Sequence, residues 1–365
     1  MYYEVLKRCE FDEKADKIYQ AIHCVDASDN IGDITKADEK DIPECDVLFS
    51  GSPCQSFSYI GLKEGGEEGS GTKSSLMWHN LRFIKQCNPK IIIWENVKGV
   101  YRGKNAKNFQ RYCEAVNDMG YTTVYKVLNP RDFGIPQNRE RCFTISIRND
   151  LDASLFYMPM ETGQPCDMFD YLDEKVDDKY IVPHQVMLGY DHKTSIFRDR
   201  FLIKKPGDIA YCLTAKAGRS VITNNYIFDD WNMYQNPPCK LNDLHYLTEN
   251  NIPVRALTPH EYWRLQSIPD DFYERAKASG ASDNQLYMRA GNAINVGILE
   301  AIFDELYKAY PFIFWEMKFI GLFSGIGTPE IALRECYRKW NQSLNRNKEI
   351  EVPVVLGEDD LPFPA

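Results

Sequence analysis

The chain is expected to fold as an α/β protein, a doubly wound Rossmann-like sheet carrying a smaller, irregular and mainly β domain. Three observations predict this. Short apolar runs rich in strand formers, Cys45-Asp46-Val47-Leu48-Phe49 and Ile91-Ile92-Ile93-Trp94, alternate with stretches at helical spacing; continuous apolar runs suit parallel strands buried on both faces. Between about 150 and 250 the rhythm breaks into proline, asparagine, aspartate and aromatic residues without a clear period. A strand, a Gly-x-Gly turn and a helix then follow at 318–329, the layout of a cofactor-binding first βα unit.

With 365 residues the chain can bury a large core and form two domains. We assign 1–150 to the first part of the large α/β domain, 151–250 to the small domain, 251–335 to the return into the large one, and 336–365 to a tail of open role. No run approaches a membrane span and no signal segment opens the chain, so no membrane partner is expected. Eleven cysteines without a Cys-x-x-Cys pair give no disulfide or zinc pattern, so a reducing, cytoplasmic setting is expected. A net charge of −10 argues against nucleic-acid binding at first sight. Residues 193–220, however, hold seven Lys/Arg against two Asp, a local excess of five positive charges. Such a stretch can hold phosphates, or be a solvated face.

In chain order, residues 3–10 read as a strand ending in Glu10, followed by a helix over 11–22 with Asp12 as its N-cap. An acid at that place is where nucleotide-binding α/β folds grip ribose hydroxyls. Gly32-Asp33-Ile34 opens the next loop, where Asp33 is placed to accept from an adenine amino group. The run 45–49 stops at Gly51-Ser52-Pro53-Cys54, which sets Cys54 on a turn beyond the strand's carboxyl end. Ligands bind there in open sheets, and a thiol near backbone N–H groups is a candidate nucleophile; the alternative is a small buried hydrophobe. The glycine-rich stretch 63–72 has the composition of a lid or of a surface loop. A helix over 76–87 precedes the strand 91–94, which delivers Glu95 to the same sheet edge as Cys54. A helix over 105–118 and strands over 121–128 and 142–147 continue the alternation. Thr258, Pro259 and Glu261 spell a capping box, and 291–296 leads into a helix reaching about 309.

Pro53-Cys54-Gln55, Glu95-Asn96-Val97 and Gln137-Asn138-Arg139-Glu140-Arg141 resemble, in order and spacing, motifs of the DNA cytosine carbon-5 methyltransferases. The tail's Phe323-Ser324-Gly325-Ile326-Gly327 resembles that family's S-adenosylmethionine motif, which normally opens the chain. Here it follows Gly291-Asn292-Ala293-Ile294-Asn295-Val296, which normally closes it, so the order resembles a circular permutation with 303–316 joining the old ends. Thr328 stands where the family usually has a further glycine, and Glu358 ends a second strand-like run that competes with Glu10.

The resemblance implies that Cys54 attacks carbon 6 of a flipped-out cytosine while Glu95 serves its N3 edge. Arg139 and Arg141 would contact the base oxygen and adjacent phosphate, and Gln137 the loop around them. S-adenosylmethionine would lie along Phe323, Gly325, Gly327, Glu10, Phe11, Asp33, Ile34, Pro53, Asn292 and Ala293, with no metal. The segment 58–73 would close over the base, and 151–250 would recognise double-stranded DNA through Lys204, Lys205, Lys216 and Arg219. The resemblance further implies a monomer acting in a restriction-modification or phage setting, with a cognate restriction endonuclease as functional partner. Arg255 and Arg264 would hold the small domain to the large one or form ordinary helix salt bridges. The alternatives are a tRNA methyltransferase of the same fold, a thiol hydrolase, for which no histidine is suitably placed, and a non-catalytic DNA- or nucleotide-binding module.

Overall fold

A computed structural model describes residues 1–53, 67, 69–183, 203–216, 225–238 and 244–347. Cys54, Arg219, Glu358 and most of the expected lid lie outside the described residues.

The fold is built on one six-stranded sheet. Its strands are β1 (Tyr2–Cys9), β2 (Val47–Ser50), β3 (Ile91–Val97), β4 (Tyr121–Leu128), β5 (Arg141–Arg148) and, from the tail, β8 (Glu316–Leu322), in the order β1-β8-β2-β3-β5-β4. All of β2 and nearly all of β3 is buried, as their apolar runs require of strands covered on both faces. The sheet is not wholly parallel. β5 runs antiparallel to both its neighbours, because 129–140 carries no crossover helix to return the chain in the same direction.

Helix α1 (Glu13–His23) begins as its sequence dictates: Asp12 Oδ1 accepts from the backbone N–H of Lys14 and Ala15 at 2.9 and 3.3 Å. Ala15, Ile18, Tyr19 and Ile22 form its buried stripe. The expected helix over 76–87 divides into a tight 3₁₀ run, Lys73–Trp78, and α2 (His79–Cys87). Helix α3 (Ala106–Asp118) packs Phe109, Tyr112 and Val116 beneath the sheet beside Trp94.

A second sheet is a two-stranded ribbon, β6 (Tyr226–Phe228) against β7 (Val254–Ala256), over its own cluster of Val182, Ile203, Tyr226, Leu247 and Val254. The chain returns through α4 (Pro259–Leu265), whose capping box forms as expected. Arg255 joins β7 to α4 through a bidentate pair with Glu261 at 2.8 and 2.9 Å, and Arg264 joins α4 to Asp173 and Asp270.

Helices α5 (Asp270–Ala278), α6 (Asp283–Asn292) and α7 (Val296–Ala309) follow. Because α7 runs to Ala309, the link to β8 is only 310–315, shorter than the expected 303–316. β8 then inserts between β1 and β2, parallel to both, and leads into α8 (Thr328–Asn347). Among the described residues no helix is long and apolar enough to cross a membrane.

Candidate active site

A cavity of about 420 Å³ opens beyond the carboxyl ends of β1, β8, β2 and β3, where open α/β sheets bind ligands. Phe323, Gly325, Glu10, Phe11, Asp33, Ile34, Pro53, Asn292 and Ala293 all line it, and so do Glu95, Arg139 and Arg141. Residues from both ends of the chain meet because β8 lies beside β1.

At one end, the turn after β8 puts Phe323 and Gly325 in the left-handed region, at φ +58° and +59°. For Gly325 this backbone is free of strain, and nothing stands within 4 Å of where a side chain would project. Its N–H donates to Glu10 Oε2 at 2.9 Å, while Asp12 N–H donates to Oε1 at 2.8 Å. Burial raises the Glu10 carboxyl, and these two N–H groups offset part of that. Asn30 locks the loop: its Oδ1 accepts from Glu10 N and Gly32 N, and its Nδ2 donates to Glu10 O, each at 3.0 Å. Asp33 Oδ1 accepts from Thr35 N and Oγ1, hydrogen bonds that lower the carboxyl.

Gly327 is different from the expectation. It does not line the cavity. A Cβ there would fall 2.4 Å from His23 Nε2 and 2.5 Å from Tyr19 Cε2, so glycine serves the close approach of α1. His23 is held neutral, its burial pushing it down to about 4, and its Nε2–H donates to Ile326 O at 3.0 Å.

At the other end, β3 delivers Glu95 to the cavity floor, 8% exposed. The antiparallel register sets Arg141 opposite Val97 and Phe143 opposite Glu95, so Arg141 is the diagonal same-face neighbour of Glu95. Its Nε lies 3.2 Å from Glu95 Oε1. Burial raises the Glu95 carboxyl, against the opposing pull of Arg141 and Arg139. Ser52 fixes the turn leading to Cys54: its Oγ accepts from Trp94 Nε1 at 2.8 Å, and its carbonyl from Asn96 Nδ2 at 3.1 Å. Ser52 and Asn96 were not singled out from sequence, because their roles depend on β2 and β3 being neighbours.

Three expected contacts turn inward. Gln137 is fully buried, donating to Leu265 O at 2.9 Å and accepting from Leu213 N at 3.4 Å, so its amide is an internal strut. Arg139 is 3% exposed and donates to the carbonyls of Leu213, Gly291 and Ala293 at 2.8, 3.0 and 2.7 Å. It clasps two segments, at 213 and 291–293, the latter in the cavity wall. Lys204 is 7% exposed with its ammonium 3.5 Å from the Tyr211 ring centre, which removes it from the exposed cations. Lys205 and Lys216 are exposed. Cys212, unforeseen, lies 3.5 Å from Arg139 and 3.9 Å from Arg141. Burial raises its thiol, but the two guanidiniums outweigh that and hold it below its ordinary value.

Sheet, cavity and the paired carboxylate and guanidinium define an α/β enzyme of the doubly wound, cofactor-binding class. The profile of the family described as C-5 cytosine-specific DNA methylase matches residues 2–308. The chain belongs to that family. Type II methyltransferase M2.ScrFI of Lactococcus lactis subsp. cremoris is 33% identical over 281 residues, covering 77% of this chain and 71% of the relative. Type II methyltransferase M.Bsp6I of Bacillus sp. (strain RFL6) is 32% identical over 321 residues, covering 84% and 92%. The crystal structure of S. pombe Dnmt2 methyltransferase matches the fold with a TM-score of 0.63 at 21% identity, covering 85% of this chain and 92% of that one.

Proposed function

We propose that this DNA cytosine methyltransferase moves a methyl group from S-adenosylmethionine to carbon 5 of a flipped-out cytosine in duplex DNA, through a transient bond from Cys54. The observation that carries the reading is the single cavity with Glu10 and the Gly325 turn at one end, and Glu95 with Arg141 at the other. Ser52 and Pro53, which line this cavity, immediately precede Cys54 in the sequence. The residues fit the cofactor: a half-buried carboxylate for ribose hydroxyls, a strain-free glycine under open space, and the Asp33 loop for the adenine.

When bound, S-adenosylmethionine supplies an electrophilic methyl group. The Cys54 thiolate adds its electron pair to carbon 6, breaking the C5–C6 double bond and making carbon 5 nucleophilic. Glu95, its carboxyl raised by burial, is suited to share a proton with N3 as negative charge develops there. Arg141 holds that carboxyl in place. Loss of the proton from carbon 5 returns its electron pair to the ring and expels the Cys54 thiolate. The base reaches this cavity only outside the duplex stack.

The remaining assignments follow from this reading. Residues 151–250 recognise the DNA, Lys205 and Lys216 offer phosphate contacts, and 58–73 closes over the flipped base. The chain works as a monomer in the cytoplasm, in a restriction-modification or phage setting beside a cognate nuclease. The motif order is a circular permutation, supported by β8 lying between β1 and β2.

Duplex DNA carrying 5-fluorocytosine tests the mechanism, because fluorine cannot leave as the proton does. The enzyme with cofactor should form a denaturation-stable adduct that maps to Cys54 by peptide mass spectrometry, and Cys54→Ala should form none. An adduct on another residue would overturn the assignment.

A further inference from the structure

The third residue of α8, Glu330, carries a carboxyl that the mechanism above does not use. It is 2% exposed and lines the same cavity. Its Oε1 accepts from the Tyr19 hydroxyl at 3.3 Å. Its Oε2 is buried and has no hydrogen-bond partner among the described residues. Gly321 of β8 makes the room: a Cβ there would sit 3.1 Å from Glu330 Oε1 and 3.2 Å from Ser324 Oγ.

The surrounding groups are committed elsewhere. Arg8 of β1 is paired with Asp16 and with Asp29, the latter at 2.9 Å. The Tyr3 hydroxyl donates to the Glu330 carbonyl at 3.0 Å, and His23 is neutral and bonded to Ile326 O. Among the described residues Glu330 has no ion-pair partner. Burial pushes its carboxyl up to about 7. A buried carboxyl oxygen left without a partner is costly, and one on a residue that lines a cavity calls for a partner arriving with the ligand.

Resting on the proposed function, the positions along the cavity say what that partner is. Glu10 and Asp33 occupy the ribose and adenine end, and Glu95 the reacting end. Glu330 lies against Gly321, beside Ser324 at the start of the turn, and the amino-acid end of S-adenosylmethionine remains to be placed. We infer that Glu330 is a further cofactor-binding residue, whose buried carboxyl, set against Gly321, receives the α-ammonium of that amino-acid end. The ammonium enters already charged, so the proton held by the carboxyl leaves to solvent as the ion pair forms. Cofactor binding is thereby coupled to release of one proton below about pH 7.

Calorimetry of S-adenosylhomocysteine binding at about pH 6.5, in two buffers of different ionisation enthalpy, tests this. The wild type should release a proton. Glu330→Gln should release none and bind roughly tenfold to a hundredfold more weakly. 5′-Methylthioadenosine, which lacks the amino-acid end, should release none from either protein and bind both alike. Absence of proton release from the wild type, which requires no variant, would overturn the inference. So would equal weakening of both ligands in Glu330→Gln, which would mean that Glu330 only shapes the turn through Tyr19. Binding of neither ligand to the wild type would instead reject the cofactor reading on which the inference rests.

Discussion

Replacing Arg139 with alanine separates two roles for this guanidinium. The motif containing it suggests a substrate contact; the structure shows a clasp. Its donors reach the carbonyls of Leu213, Gly291 and Ala293 at 2.8, 3.0 and 2.7 Å, with the side chain almost wholly buried. Each hydrogen bond from a charged donor contributes on the order of 1.5 kcal/mol or more, and an abandoned buried carbonyl costs a similar amount. Three of them make Arg139→Ala cost about 4–5 kcal/mol, a large share of a typical domain's stability. Urea unfolding followed by tryptophan fluorescence should show the midpoint falling steeply. Affinity for S-adenosylhomocysteine should fall with it, because Ala293 lines the cavity. Arg139→Lys should recover only part, since an ammonium cannot span three acceptors in a fork. Wild-type unfolding with methyl transfer alone lost would refute the clasp and return Arg139 to the substrate.

Further outcomes are expected at three other places. Gly327→Ala should destabilise the fold by about 1–3 kcal/mol in thermal unfolding, because its Cβ meets His23 and Tyr19 at a φ of +73°; an unchanged midpoint would show that α1 stands further off. Glu10→Ala should weaken S-adenosylhomocysteine binding by roughly tenfold or more while leaving DNA binding intact, measured by calorimetry and gel shift; unchanged cofactor affinity would move the ribose site to Glu358. His260 bonds Asp173 at 2.9 Å and lies 3.1 Å from Asp270, with Arg264 beside it and Tyr273 stacked on the ring. Asp173 raises the imidazole above its ordinary value. The stability it contributes is therefore full below about pH 6.5 and lost as pH rises through the folded value. Urea melts between about pH 6 and 8.5 should show wild type losing more stability than His260→Gln; parallel losses would remove His260 from the linkage.

Local features were legible in the sequence. Continuous apolar runs announced β2 and β3, Asp12 and Thr258 announced helix starts, and the tail announced a strand, turn and helix. Motif spacing brought Glu95, Arg141, Glu10 and Gly325 to one cavity. What stayed hidden depends on partners distant in sequence. Gln137 and Arg139 look like surface contacts until Leu265, Leu213 and Ala293 are seen against them. Gly327 reads as a ligand glycine until α1 is packed on it. Lys204 counts as a free cation until Tyr211 lies under it. The antiparallel direction of β5, which brings Arg141 to Glu95, follows from the missing crossover helix before it.

The most direct measurement is transfer of tritiated methyl groups from S-adenosylmethionine to unmodified duplex DNA, followed by identification of the labelled base. The account predicts label in 5-methylcytosine at a defined sequence, abolished by Cys54→Ala. Label in tRNA with none in DNA, or label on any other position of the DNA, would contradict it.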